Sequence, residues 1–412
     1  MTPRAAIETS LVAARPRVIA ALVRFFRDLD TAEEAFQVAS LRALERWPGG
    51  GVPDDPAGWL VVVARNVTFD ARKREKRHVD FDEVAGAFAG SGDDETALAA
   101  RLDDAEYPDD VLRLLFVCCH PELAPAQQIA LALRIVCGMS VKEIARAFLV
   151  SESALEQRIT RAKNRIAEAE APFGAPGSEG RAGRLASVQT MVYLVFNEGY
   201  SATGGDAHIR AQLCDEAIRL ARLLLGLFPD EPSTFGLTAL LLLQHARTPA
   251  RLDGDGNIVL LDRQDRSRWD RAAITEGLGL IVAGMRLGRA EPYLVQAAIA
   301  AVHAQAARAE ETDWAQIVRL YETLEELRPS PVVTLNRAVA VAKTKGAEAA
   351  LALVTPLETR LGDYFHFHGV KGGLLAELGR TADARCALKR ALELAKTPAE
   401  AAQIRLRLDE IR

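Results

Sequence analysis

The stretch PAQQIALALRIVCGMSVKEIARAFLVSESALEQRITRAKNRI, Pro125 to Ile166, reads as a helix, a tight turn and two further helices. Gly138-Met139 breaks a helix that ends near Val136, and Ser140 with Glu143 forms an S-x-x-E capping box that starts another at Val141. Ile144, Ala145 and Phe148 share one face of that short helix. A Leu149-Val150 turn follows, and Ser151 or Ser153 caps the next helix, with Ser153 and Glu156 offering a second capping box. Leu155, Ile159, Ala162 and Ile166 recur at three- and four-residue spacing and form its buried stripe. Glu152, Ser153, Glu156, Gln157, Arg158, Arg161, Lys163 and Arg165 are left for solvent or a groove. Hydrogen-bonding groups at the start and cations further on suit the recognition helix of a helix-turn-helix, whose first residues meet base edges while its surroundings meet phosphates. The competing reading is a helical bundle with a solvated basic face.

Around this stretch, the 412 residues exceed the usual size of one core, so two or three domains are expected. Apolar residues make up 49% and aromatics only 6%, and alternating runs are scarce, which predicts an almost wholly helical chain. The net charge of −5 does not suggest a general polyanion binder, so any nucleic-acid affinity must be local. Residues 65–77 hold six Lys/Arg against two acids, and residues 134–165 hold seven against three. Between them, residues 79–110 hold eleven acids against one Arg. The five cysteines show no CxxC pattern, and no leader or membrane-length apolar run is present, so a reducing cytoplasm is the expected compartment. Cys118-Cys119-His120 reads as helix core ending before Pro121 rather than a metal site, and no cofactor is expected.

The first block, 1–78, reads as three helices: Ile7 to Phe26, one from Asp30-Thr31 to Trp47, and Pro56 to Arg77. In the third, Leu60, Val63, Val67 and Ala71 form an inward stripe. Val62, Arg65, Phe69, Arg72, Lys73 and Lys76 form a second, basic one suited to an unpaired strand, although a lone aromatic such as Phe69 more often finds an apolar neighbour. The acidic segment 79–110 reads as a linker between two mobile DNA-binding pieces. The second block is 111–171, and the Pro/Gly-rich 172–184 is a further linker.

From 185 to 412 the chain is helical and partly repetitive. Asp313, Gly346 and Gly379 recur every thirty-three residues, each opening a helix, which is the period of tetratricopeptide-like helix pairs. Arg251 to Asp262 imitates a calcium loop in its middle, but Arg251 falls at the first ligand position. A β-hairpin with Leu252 pairing across to Val259 or Leu260 suits it better. Asn197, Glu198 and Tyr200, with Asp265, Arg266 and Trp269, mix acids, amide, cation and aromatics at helix ends. They invite a regulatory ligand site, against which stands a packing role for Tyr200 and Trp269 with Asp265 and Arg266 pairing or capping.

Taken together, these blocks resemble the extracytoplasmic-function (ECF) sigma factors of bacterial RNA polymerase, in the subgroup with a tetratricopeptide-like C-terminal extension. The resemblance rests on Asp30-Thr-Ala-Glu-Glu-Ala-Phe-Gln37, Gly58-Trp-Leu60, Ala64-Arg-Asn66 and the basic run to Arg77 for region 2. Gln127-Gln128, Glu143-Ile-Ala145, Gln157-Arg158 and Arg161-Ala-Lys163 carry it for region 4. Leu114 to Pro121, Phe196 to Tyr200 and Gln264 to Asp270 suggest the subgroup. It implies an all-α protein: a region 2 bundle, a region 4 helix-turn-helix and a helical repeat extension with one small hairpin. It implies core RNA polymerase and promoter DNA as partners, and no membrane. Glu33, Glu34, Gln37 and Arg42 would dock on polymerase. Trp59, Arg65, Asn66, Phe69, Arg72, Lys73 and Lys76 would handle the −10 element, and Ser153, Glu156, Gln157, Arg158, Arg161 and Lys163 the −35 element. The extension would take part in control, through the rest of the chain or a protein partner.

A rival reading is a helix-turn-helix regulator on a repeat scaffold that never serves as a polymerase subunit; it would have no need of the Arg65 to Arg77 stripe. An enzyme finds little support. The histidines are scattered, His366 and His368 cannot share a helix face, and no phosphate loop or nucleophile elbow is present.

Overall fold

Long runs of helical periodicity become long helices in the computed structural model, α1 and α2 even carrying Pro16 and Pro48 within them; it describes residues 3–77, 107–148, 150–169, 178–201, 207–253, 259–395 and 398–411. They fall into two compact units, Met1–Val195 and Phe196–Arg412. In the first, α1 (Pro3–Phe26), α2 (Leu29–Gly50) and α3 (Pro56–Arg77) pack on one another. The start of α2 lies slightly before the sequence expectation, because Asp28 is its cap and accepts from the Thr31 amide at 2.6 Å. Ile19, Leu22 and Leu60 are fully enclosed in this bundle.

The second block supplies α4 (Tyr107–Cys118), α5 (Pro125–Ile135), α6 (Val141–Ala147) and α7 (Glu152–Glu168). The expected capping box forms: Ser140 Oγ accepts from the Glu143 amide at 3.2 Å, and Glu143 accepts from the Ser140 amide at 2.7 Å. Of the two candidate caps for α7, Ser151 serves, accepting from Ala154 N at 3.2 Å, so the second box is not used. Cys118 and Cys119 are core residues of α4 and its end, and burial pushes the Cys119 thiol up to about 12.

Two organisational expectations change. Residues 78–106, most of the expected linker, lie outside the described residues, but 107–110 are helical and Asp110 is buried beside Arg24 and Arg113. The two blocks do not stand apart as mobile pieces. Helix α1 packs on α4, and charged contacts join α1 and α2 to α5 and α7. The two compact units divide within α8 (Ser178–Ser201), whose earlier part packs with the second block. Arg184 sits over the Phe116 ring there, and Thr190, Met191 and Leu194 line a cleft with Pro125 and Ile129.

The second unit continues through α9 (Ala207–Leu227), α10 (Pro232–His245), α11 (Arg271–Arg286) and α12 (Pro292–Gln305). Next come α13 (Trp314–Leu327), α14 (Pro331–Lys345) and α15 (Ala347–Val354), then α16 (Phe365–Glu377), α17 (Thr381–Leu394) and α18 (Pro398–Glu410). The thirty-three-residue markers fall at helix starts. Asp313 caps α13, Gly346 stands between α14 and α15 at φ 86°, and Gly379 at φ 70° precedes α17. Among the described residues there is no strand. The arms of the expected hairpin meet through the Val259 amide donating to Arg251 O at 2.8 Å, and its turn, 254–258, lies outside them.

Candidate DNA and polymerase interface

Helix α7 turns Leu155, Ile159, Ala162 and Ile166 inward, as their spacing requires. That leaves Ser153, Glu156, Gln157 and Arg161 exposed and Arg158 half-buried, a row able to enter a groove. Lys163 behaves differently. Its ammonium donates to Asp30 and, at 3.0 Å, to Glu33, both on α2. Burial pushes this ammonium down, but the hydrogen bonds and charges of Asp30 and Glu33 outweigh it and leave it above its ordinary value.

Glu33 is 6% exposed, and three cations converge on it. Besides Lys163, Arg15 Nη2 lies 3.3 Å and Arg134 Nε 3.2 Å from its Oε1. Arg15 also donates to the carbonyls of Ile135 and Arg134, at 3.2 and 3.3 Å, and so caps the end of α5. Its side chain runs beside Gly138, whose added Cβ would meet it at 2.7 Å, and whose φ of +74° suits glycine. Of the other residues assigned to docking, Glu34 and Gln37 are exposed and Arg42 is half-buried. Glu34 and Gln37 line a cleft of about 370 Å³ opposite Glu156, Thr160 and Lys163 of α7. The structure therefore brings together two sets that the sequence reading assigned to different partners.

On α3 the expected basic stripe is partly redistributed. Val62 and Trp59 are buried, Trp59 packing edge-on to Trp47 at 5.4 Å, so neither faces solvent; each completes the core of the three-helix bundle. Asn66 is exposed and Phe69 is 50% exposed. The Phe69 ring meets Phe25 edge-on at 5.6 Å, and Arg65 lies 4.2 Å over the Phe25 ring. Phe25, Phe69 and Arg65 thus form an exposed patch of rings and cation, the combination on which unpaired bases stack. Arg72, Lys73 and Lys76 continue α3, and their side chains lie outside the described residues.

In the second unit the candidate regulatory residues divide. Asp265 accepts from Ser267 N at 2.9 Å and caps the short turn Arg266–Arg268, and Trp269 is buried. Asn197 and Glu198 are half-buried near the end of α8, and burial pushes the Glu198 carboxyl up. Tyr200 accepts a hydrogen bond from Arg247 at 2.6 Å, while Arg266 reaches the backbone carbonyls of His303 and Ala306.

Sequence reasoning missed Arg15, Phe25, Arg247 and Arg251. A cation inside the otherwise apolar stripe of α1 was the available signal for Arg15, and the adjacent Phe25-Phe26 pair for the aromatic patch. Among the described residues no group of acids, histidines or cysteines is arranged to hold a metal, and no helix is long and apolar enough to cross a membrane.

Comparison with known proteins matches residues 11–78 to sigma-70 region 2 and residues 113–166 to sigma-70 region 4. Residues 184–284 match a family of unknown function (DUF6596). The chain is also similar to an uncharacterized protein of Rhizobium meliloti (strain 1021), at 58% identity over 411 residues, covering 100% of this chain and 97% of that one.

Proposed function

The chain belongs to one family with that Rhizobium meliloti protein and carries the two domains of a sigma-70 factor, and from this premise we propose an ECF-type sigma factor with a regulatory C-terminal extension. Sigma-70 factors are transcription initiation factors rather than enzymes, and the two domains imply binding to core RNA polymerase and promoter DNA. The observation that carries the reading is the ordered pair of region 2 and region 4 in one chain. In support, α7 offers Ser153, Glu156, Gln157 and Arg161 to a −35 groove, and Arg65, Phe69 and Phe25 offer cation and rings to an unpaired −10 strand.

The contacts of Glu33 add a step. A docking residue held by Arg15, Arg134 and Lys163 does not meet polymerase in this arrangement, and Lys163 does not meet DNA. In the proposed mechanism the region 2 and region 4 domains separate on core polymerase, exchanging these ion pairs for contacts with the partners. The helical extension, with helix starts every thirty-three residues, is proposed as a tetratricopeptide-like control module.

Run-off transcription with bacterial core polymerase, the full chain and a pool of promoter fragments tests the reading. Promoter-specific transcripts that require the chain are expected. A folded chain that shifts DNA but neither binds core nor starts transcripts would instead support the regulator on a repeat scaffold.

A further inference from the structure

In the second unit three helices end close to one another, and an arginine meets each end. Helix α8 ends at Ser201, and Arg251 donates to the Tyr200 carbonyl. Helix α10 ends at His245, and Arg247, just beyond it, donates to Gln244 Oε1 at 2.8 Å and to the Tyr200 hydroxyl. Helix α12 ends at Gln305, and Arg266 donates to the carbonyls of His303 and Ala306 at 2.6 and 2.7 Å. The turns Thr248–Ala250 and Arg266–Arg268 touch, and the Asp270 amide donates to Ala246 O at 3.0 Å, so the arginine-bearing segments form one corner.

Helix ends explain why cations gather here but not how their charge is balanced. A helix C-terminus carries roughly half a negative charge, so three ends offset about half of three guanidinium charges. Among the described residues no carboxylate comes within ion-pairing distance of Arg247, Arg251 or Arg266. Elsewhere in the unit arginines find such partners, as Arg222 does with Glu276 at 2.7 Å. Of the acids nearby, Glu310 and Glu311 act on Arg266 from beyond ion-pairing distance, Glu311 binding Arg308, and Asp215 lies 3.6 Å from His245.

The corner also concentrates unsatisfied groups. Of the twelve buried side-chain polar atoms without a hydrogen-bond partner among the described residues, six belong to it: Arg247 Nε, Arg266 Nε, Trp269 Nε1, His245 Nδ1, His303 Nδ1 and Gln264 Oε1. Three of these can only donate, and Arg266 is 6% exposed. Tyr200, Arg247 and Arg251 are only half-buried, and Thr248 and Pro249 beside them are exposed, so the corner is reachable from solvent. Arg251 lies 3.6 Å over the Tyr200 ring, which holds its guanidinium plane in place. The field is felt by His303, which burial, then Arg247 and Arg266, push down to about 4.

We propose that this corner is a binding site for a small oxyanion, the phosphate or carboxylate of a metabolite, received chiefly by Arg247 and Arg251 beside Tyr200. An oxyanion supplies the missing negative charge and the acceptors that the unpaired donors lack, and planar guanidinium forks match both phosphate and carboxylate. The proposal places a ligand-sensing function in the extension and stands whether or not the chain engages polymerase.

Isothermal titration of the full chain with inorganic phosphate and with succinate, against chloride at equal ionic strength, tests it. One site per chain is expected for at least one of the two anions, and which anion binds identifies the ligand chemistry. Arg247→Gln and Arg251→Gln are expected to weaken binding by about tenfold or more. Arg222→Gln, at a paired arginine of the same unit, leaves it unchanged. Circular dichroism verifies folding, and if either Gln variant unfolds, Arg251→Lys keeps the charge, loses the fork and weakens binding by about threefold or more. Neither anion binding at concentrations up to about 10 mM would overturn the proposal, as would binding unchanged in the folded Arg247 and Arg251 variants.

Discussion

Glu33 joins the two sigma domains through a single carboxylate, with Arg15, Arg134 and Lys163 all within 3.3 Å of it. Removing Glu33 from this largely buried cluster leaves Arg15 and Arg134 facing each other without a carboxylate and Lys163 with only the exposed Asp30, and breaking such a group costs about 3 kcal/mol. Glu33→Gln is therefore expected to lower the melting temperature of the full chain, read by circular dichroism; an unchanged melt would mean that the cluster is not formed in solution. Because Lys163 is held above its ordinary lysine value, its contribution is complete at neutral pH and fades only as pH rises through that elevated value. His303 runs the opposite way. Its folded value of about 4 lies below the ordinary 6.5, so between those values the unfolded chain binds a proton that the folded chain does not. Stability of the second unit should fall as pH drops from about 6.5 to 4, by up to roughly 3 kcal/mol, and level off below. Urea melts across that range should show the slope, and His303→Gln should flatten it.

Elements were legible in the sequence to the extent that their signals are local. The Ser140–Glu143 box, the Leu155 to Ile166 stripe and the bounds of α3 all follow from residues within a few positions of one another. Trp59 and Val62 were harder, because periodicity places a residue on a face without saying whether another helix covers that face; α2 covers Trp59 with Trp47. Close helix crossings are similarly silent. Gly236 on α10 is a case in point: a Cβ there would come within 2.3 Å of the Leu294 backbone amide of α12. Since backbone cannot move aside as a side chain can, Gly236→Ala is expected to cost about 3 kcal/mol and to melt the second unit early. A native-like melting temperature in that variant would refute this packing.

For the whole molecule, the charge map showed two basic regions divided by an acidic one, in agreement with the sigma-factor reading that the resemblance of the motifs carried. It did not foretell that the two regions pack together, because Arg15 and the α5 carbonyls it binds are about 120 positions apart and no local pattern encodes so distant a partner. The consequence is that α2, proposed to dock on polymerase, and α7, proposed to read DNA, line one cleft, with Lys163 of α7 bound to Asp30 and Glu33 of α2. A measured distance between α2 and α7 follows this directly. Fluorophores at Glu45→Cys and Thr160→Cys would report it in a chain whose exposed Cys386 is replaced by Ser, the other four cysteines being buried. The account predicts a short distance in the free chain and a longer one once core polymerase is added under conditions that yield promoter-specific transcripts. A distance that stays short while transcripts form would contradict it.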